Sequence, residues 1–547
     1  MTDTASAPEL APLVAASPKS RRRTWLGIGL AAISAVMLFL TWDGNGGLWP
    51  LILIAFVPMY VAQYRLLSPR MSGLAVAIAA FGNFFALGRA VSGILGGIAG
   101  IGAAALIALI LSSVWWFLAA FDRRYSERTN YRWFLIQLPL LWVGVEVLLG
   151  WNLLTATNYW IAYRLAYVPD LVQPISVVST PVLGFLLMVI NAAIALAVLR
   201  WFDRRWPALA TVPIPRRTVA WSAAIAGGLA VLWVASSLLI NAQVNSQLGP
   251  AVRVAALQPD PAKVGTREAA LKAKAGDPAE EIARMAMART QMEEMTREAA
   301  AKGAVLVVWP EILFHYDVTA AQGQWIADLA RQTKTTLVVG FEPGYPELRA
   351  SNLAAVFGPD GSVQGQVYHK VHPVIAMAEG FNTDPVYQPY QTPFGQLGVI
   401  ICFDYDFPQS SPRETVKNGA QIVATPSLDD ASFGPLRWQT LTFRAIENRV
   451  PFVKSAKGFD SAIINANGQA VWKEEVTDPA GQKVVLVADV NLGPRNAPFT
   501  QIGMYWVAAA LLIGLILRFG DQYRLARRQR RTERAQAATP DAEQAAD

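Results

Sequence analysis

Val399-Ile400-Ile401-Cys402-Phe403-Asp404 is an apolar, β-branched run that ends on the only cysteine of the 547-residue chain. Such runs read as strands buried on both faces, and functional groups of α/β domains gather where strands end. Two other runs close in the same way. Val307-Val308-Trp309-Pro310-Glu311 ends on a carboxylate and Val367-Tyr368-His369-Lys370 on an amine. Around them, β-branched runs at Val252 to Leu257, Val305 to Trp309, Thr336 to Gly340, Leu397 to Cys402, Ile422 to Thr425, Ala462 to Ile464 and Val484 to Val490 alternate with helical stretches. The helical stretches are Glu280 to Lys302, Ala320 to Lys334 and Leu436 to Asn448. The alternation predicts sheets covered by helices, and the residues from Lys263 to Ala279 read as a mobile polar loop.

A thiol, a carboxylate and an amine form a coherent chemical set. Thiolate is the nucleophilic form of cysteine, a neighbouring carboxylate can take its proton, and an ammonium stabilises thiolate and oxyanion alike. Taken singly, each residue has a plainer reading. A cysteine ending an apolar strand is usually core, a Glu after Trp-Pro is often a helix first-turn acid, and a loop Lys is usually solvated.

The chain as a whole is too apolar for an ordinary soluble enzyme. Hydrophobic residues make up 53% and charged residues 16%, against about a quarter in soluble domains, and the mean hydropathy is +0.30. One Cys excludes an intramolecular disulfide, and three His with neither a CxxC pair nor an HExxH motif give no recognisable zinc site. Eight apolar runs are near spanning length: Trp25 to Thr41, Leu48 to Tyr64, Met71 to Leu87, Ile94 to Phe121, Trp133 to Gly150, Val172 to Leu199, Ala220 to Ile240 and Gln501 to Leu517. The first follows Arg21, Arg22 and Arg23 and has no small-residue cleavage site after it, so it reads as an uncleaved anchor.

Of the Lys and Arg outside the runs, 22 lie in the two tails and alternate loops, while the opposite short loops hold only Arg89 and Arg164. The positive-inside rule then places both termini in the cytoplasm. The expected organisation is a cytoplasmic tail over 1–24, seven spans over 25–241, an extracytoplasmic domain over 242–499, an eighth span over 500–518 and a basic tail over 519–547. Residues 242–499 carry 23 Lys/Arg and 27 Asp/Glu, so the formal +7 of the chain arises in its membrane parts. That basicity is a topology signal and argues against nucleic acid as a partner.

Trp309-Pro310-Glu311, Tyr368-His369-Lys370 and Ile401-Cys402-Phe403-Asp404, in this order, resemble the nitrilase (carbon-nitrogen hydrolase) superfamily. Ala424-Thr425-Pro426-Ser427 and Phe443-Arg444-Ala445-Ile446-Glu447-Asn448 resemble its later strand and the helix beginning near Trp438. Eight spans with such a domain between the seventh and eighth resemble the apolipoprotein N-acyltransferases, as do Leu48-Trp49-Pro50, Gly82-Asn83-Phe84-Phe85 and Trp142 with Glu146 and Gly150.

The resemblance implies an αββα sandwich joined to a multi-pass helical membrane domain, in a bacterial inner membrane. Its triad would be Glu311, Lys370 and Cys402, with the Phe403 backbone NH as oxyanion donor and Glu379 and Asp404 as supporting carboxylates; for these two, the alternative is loop acids on the surface. It implies a phospholipid acyl donor, a diacylglyceryl apolipoprotein acceptor, no cofactor, no metal and a monomer. Glu146 is then an interfacial or structural acid, or a functional intramembrane group. Phe381, Tyr387 and Phe433 would form a lid that meets the membrane, or belong to the core. Four departures stand out: Val371-His372-Pro373-Val374 follows the Lys, Trp151-Asn152-Leu153-Leu154 stands near the place of a Gly-Phe-Pro-Trp-like stretch, Ser427-Leu428-Asp429-Asp430 replaces a Ser-Asn-Asp-like segment, and Asp404 stands where a Glu is usual. That Asp is found in soluble nitrilase relatives, which leaves a membrane-tethered amidase or nitrilase, resolving the acyl-enzyme with water, as the competing reading. A silent scaffold is the third.

Overall fold

The computed structural model describes residues 18–42, 48–95, 97–153, 155–260, 278–343, 351–375, 379–429, 434–457, 460–474 and 483–537. The α/β part holds twelve described strands: β1 (Ala251–Gln258), β2 (Leu306–Val308), β3 (Thr336–Phe341), β4 (Leu353–Phe357), β5 (Tyr368–His369), β6 (Tyr390–Thr392), β7 (Gly395–Val399), β8 (Ile422–Ser427), β9 (Phe452–Ala456), β10 (Ser461–Ile464), β11 (Ala470–Glu474) and β12 (Val484–Asn491). They form two six-stranded sheets, ordered β12-β1-β2-β3-β4-β5 and β11-β10-β9-β8-β7-β6. The inner pairs β1–β2, β2–β3, β7–β8 and β8–β9 are parallel, and the outer pairs are antiparallel.

Alternation along the strands builds the layers. Val254, Ala256, Leu306, Val308 and Val338 share one core with Leu397, Val423, Phe452 and Ile463 of the other sheet. Their neighbours Ala255, Leu257, Val307, Trp309, Leu337 and Val339 point the other way, into a core with Met292, Met295, Ile326 and Leu329. Those four belong to the helices Pro278–Ala301 and Gln324–Thr333. Strands β1 to β3 are therefore buried on both faces, which is why they read as continuous apolar runs. The helix Gly434–Asn448 covers the second sheet, with Leu441, Ala445 and Ile446 in the shared core.

Among the described residues, six helices are long and apolar enough to cross a membrane: Arg21–Leu40, Trp49–Leu66, Ile98–Arg128, Thr180–Arg205, Arg216–Asn245 and Tyr505–Arg528. The helices Ser72–Leu95 and Phe134–Leu149 stand where the other two runs were read. Packing between helices is close, because a Cβ on Gly82 would lie 2.1 Å from the Ala35 carbonyl oxygen and one on Gly73 2.2 Å from that of Trp116. Small residues at such crossings let backbones approach.

Several expectations need correction. The run Val172 to Leu199 is not one helix: Ile175–Val178 is a separate turn, Ser179 breaks it at φ +72°, and the long helix begins at Thr180. The freed residues bind the α/β part instead, with Gln173 and Ser176 accepting from Arg449. The run Leu48 to Tyr64 is helical over Trp49–Leu66, but its winding changes, from a 3-10 turn at Trp49–Leu53 through the α-turn Val57–Val61 to a wider π-turn at Ala62–Leu66. The eighth helix starts at Tyr505 and continues through the basic residues to Ala537. Strands β4, β6, β9 and β11 and the helix Ser411–Lys417 were not foreseen. The expected mobile loop lies outside the described residues over 263–277.

Glu146 lies inside the protein. It is buried, accepts from Trp142 Nε1 and the Ile161 backbone N, both at 3.0 Å, and its carbonyl accepts from Tyr159 and Trp160. It ties the turns after Leu149 back onto their helix, a structural role.

Candidate active site

Glu311, Lys370 and Cys402 arrive from three places in the sandwich. Glu311 follows β2, and its backbone N donates to Ser427 at the end of β8 in the other sheet, at 3.2 Å. Gly340 on β3 makes room for this turn, since a Cβ there would lie 2.5 Å from the Pro310 oxygen and 2.7 Å from Glu311 Cα. Lys370 follows β5, anchored by its N–H to the Asn352 carbonyl at 2.9 Å. Cys402 opens a helical turn, Cys402–Asp406, at φ +41°. That left-handed conformation is uncommon for a residue with a side chain and is held only where the surroundings impose it.

Glu311 and Lys370 are 1% and 2% exposed. Lys370 Nζ donates to Glu311 Oε1 at 2.8 Å and to Glu379 Oε1 at 3.0 Å. Asn352 Nδ2 bridges the same two oxygens at 2.6 and 3.1 Å. Glu379 Oε2 accepts from Val374 N at 2.8 Å, which fixes that carboxylate and the chain beyond Lys370 together. Glu311 Oε2 accepts no hydrogen bond from the described residues. Burial pushes Glu311 above the usual carboxylate range; Lys370 opposes the rise and Glu379 adds to it. Burial works against the charge of Lys370, but Glu311 and Glu379 more than offset it and keep it an ammonium.

Cys402 is buried, and its Sγ donates to Asp429 Oδ1 and accepts from Arg437 Nη2, each at 3.8 Å. Burial pushes its thiol well above the ordinary range, reinforced by the charges of Glu311 and Asp429 and opposed by Arg437 and Lys370. Cys402 therefore rests as a thiol and must lose its proton as it attacks.

Asp404 fastens the nucleophile turn to the lysine strand. Its carboxylate accepts from Ile401 N, Tyr368 OH, Val371 N, His372 N and His372 Nδ1, at 2.8 to 3.1 Å. Burial raises its pKa, but the hydrogen bonds and charge of His372 and the bonds from Ile401 and Tyr368 outweigh that and hold it below the ordinary value. Neither Glu379 nor Asp404 is a surface acid. Phe403 packs with Ala156 and Phe407, and its NH follows the nucleophile in the first turn of the helix. Of the proposed lid, Phe381 is 62% exposed, Tyr387 is half-buried against Ser410, and Phe433 lies outside the described residues. No cluster of three metal-ligating side chains occurs among the described residues.

Sequence reasoning missed Asn352, Arg437, Lys454 and the role of Asp429. Asn352 precedes β4, while Arg437, Asp429 and Lys454 join through buried ion pairs of 3.2 and 2.8 Å. The one available signal was compositional: Lys454 is a charge inside the apolar strand β9, and a buried charge needs partners.

With the geometry in place, the likeness to known proteins is specific. The carbon-nitrogen hydrolase family matches residues 253–494, and the apolipoprotein N-acyltransferase N-terminal domain matches residues 34–193. An apolipoprotein N-acyltransferase of Geobacter metallireducens is 28% identical over 519 residues, covering 88% of this chain and 92% of the relative. The omega-amidase NIT2 of Mus musculus is 24% identical over 235 residues, covering 37% of this chain and 82% of the relative. Among solved structures, an amidase of the nitrilase superfamily from Nesterenkonia AN1 has a TM-score of 0.35 at 17% identity, covering 47% of this chain and 96% of its own. The first two matches divide between the apolar helices and the α/β part, and the bacterial relative aligns along both; this chain belongs to the apolipoprotein N-acyltransferase family.

Proposed function

We propose that the chain moves a fatty acyl group from a membrane phospholipid, through a thioester on Cys402, to the N-terminal amine of a diacylglyceryl-cysteine apolipoprotein. The observation that carries the mechanism is the pairing of Glu311: Lys370 and Asn352 occupy Oε1, and Oε2 is left to take a proton. Glu311 accepts the Cys402 proton as sulfur attacks the ester carbon. An ammonium has three N–H donors. Two of those on Lys370 are committed to Glu311 and Glu379, and the third, with the Phe403 NH, faces the developing oxyanion. Collapse breaks the ester C–O bond, Glu311 returns the proton to the departing lysophospholipid, and the thioester remains. A neutral amine then attacks the thioester, Glu311 takes its proton, the C–S bond breaks, and the thiolate recovers the proton.

The same reading implies a monomer in the bacterial inner membrane; its orientation, with both termini cytoplasmic and the sandwich outside, is supported by the skew of Lys and Arg to one set of loops. Apolar helices beside the sandwich give lipid substrates a route that never leaves hydrocarbon. Purified protein given labelled phospholipid and a diacylglyceryl peptide should acylate the peptide amine in preference to releasing free fatty acid. Cys402→Ala and Glu311→Gln should each lower turnover by roughly 10³-fold or more while the protein still inserts and folds. Release to water alone supports the hydrolase instead, and near-normal turnover in either variant contradicts the mechanism.

A further inference from the structure

The sulfur of Cys402 has two partners that the Glu-Lys-Cys chemistry leaves unused. Asp429 Oδ1 is an acceptor and Arg437 Nη2 a donor, both 3.8 Å from Sγ. Neither is placed by chance. Arg437 is 4% exposed; its Nη1 donates to Asp406 Oδ2 at 2.6 Å, its Nε to Asp429 Oδ1 at 3.2 Å, and its guanidinium carbon lies 4.7 Å from the centre of the Tyr405 ring. Asp429 is held from its other oxygen by Lys454 at 2.8 Å, and Lys454 by Asp460 at 3.1 Å. The planar fork of an arginine can satisfy two carboxylates and still direct a third N–H elsewhere, which a lysine cannot do with the same geometry.

We propose that Asp429 and Arg437 form a two-sided clamp on the nucleophile: the thiol donates to Asp429, the thiolate accepts from Arg437, and the sulfur keeps one position in both protonation states. Arg437 is thereby a catalytic residue. It stabilises the negative sulfur when attack begins and again when the amine expels it from the thioester adduct, the second of these resting on the acyl-transfer reading. Lys370 cannot take this part alone, because two of its N–H groups are committed to Glu311 and Glu379. Arg437 cannot be the base, since a guanidinium keeps its proton throughout the accessible pH range.

The test is the pH dependence of Cys402 alkylation by iodoacetamide in the detergent-purified full chain, which needs no acyl donor. The charged or titratable groups facing the sulfur are Glu311, Lys370, Asp429, Arg437 and Tyr405. Arg437→Gln is expected to move the alkylation midpoint up by about one unit, a tenfold loss of thiolate below it. It should also lower kcat by roughly 10²-fold, the size lost with one donor to a developing charge, with KM for phospholipid within about twofold. A folded Arg437→Gln with wild-type midpoint and kcat overturns the clamp. If that variant does not fold, Arg437→Lys carries the test: an intermediate midpoint with kcat lowered about tenfold supports the clamp, and wild-type values overturn it. Wild-type protein that alkylates normally yet is never acylated by phospholipid counts against the donor assignment, while the alkylation profile still decides the clamp.

Discussion

At the scale of single residues, the site is built on charges buried in pairs. Removing one partner strands the other, so conservative changes are the informative ones. Asp460 makes the point through pH. Burial, opposed by Lys454 and reinforced by Asp429, pushes its carboxyl up to about 7 from an ordinary value of 3.8. The folded state then holds this proton more tightly than the unfolded chain does. The resulting cost is absent below the ordinary value, grows as pH rises through the interval, and is complete above about 7. Melting temperatures in detergent should therefore fall between pH 5 and pH 8, and less in Asp460→Asn than in the wild type; equal slopes would contradict the assignment. The triad was legible in the sequence because Glu311, Lys370 and Cys402 each end an apolar run. Asn352, Asp429 and Arg437 were not, because they reach the site from a loop, a strand's exit and a helix start, with no local pattern to mark them.

At the scale of elements, legibility follows burial. β1, β2, β3, β7, β8, β10 and β12 were read from β-branched runs that are buried on at least one face. β6 is three residues long, β4 is largely Leu-Ala-Ala, and β9 carries Lys454, so none presents a clear period, while the two-residue β5 was read only through the run that ends on Lys370. The apolar runs foretold where the membrane helices lie but not the break at the left-handed Ser179 or the changes of winding around Pro50 and Pro58, which fall in sequences that remain apolar throughout. Close approach between elements makes a sharper prediction. With backbone atoms of Pro310 and Glu311 within 3 Å of any Cβ at position 340, Gly340→Ala must push the Glu311 turn away from β3. The expected cost is about 1–3 kcal/mol of stability and roughly 10²-fold in kcat, since displacing a reacting group by an ångström has that effect. A crystal structure or activity indistinguishable from wild type would show that the turn tolerates the extra methyl.

At the scale of the molecule, the membrane helices and the sandwich meet through buried polar contacts. Thr180 Oγ1 donates to Glu447 at 2.6 Å, Arg449 donates to the Gln173 carbonyl at 3.0 Å, and Thr157 donates to the Asp406 carbonyl at 2.9 Å. The last of these joins the turns after Leu149 to the helix that Cys402 begins, and Asn158 accepts from Arg437 at 3.3 Å. The site is thus fixed against the membrane part, as enzyme action on lipid-anchored substrates requires. The proposed function requires that Cys402 carry an acyl group taken from phospholipid and pass it to an amine. Intact-protein mass spectrometry after incubation with phospholipid tests it most directly. A hydroxylamine-sensitive acyl mass on Cys402 that transfers to an added diacylglyceryl peptide is the predicted result; an adduct lost only to water, or none from phospholipid, would contradict it.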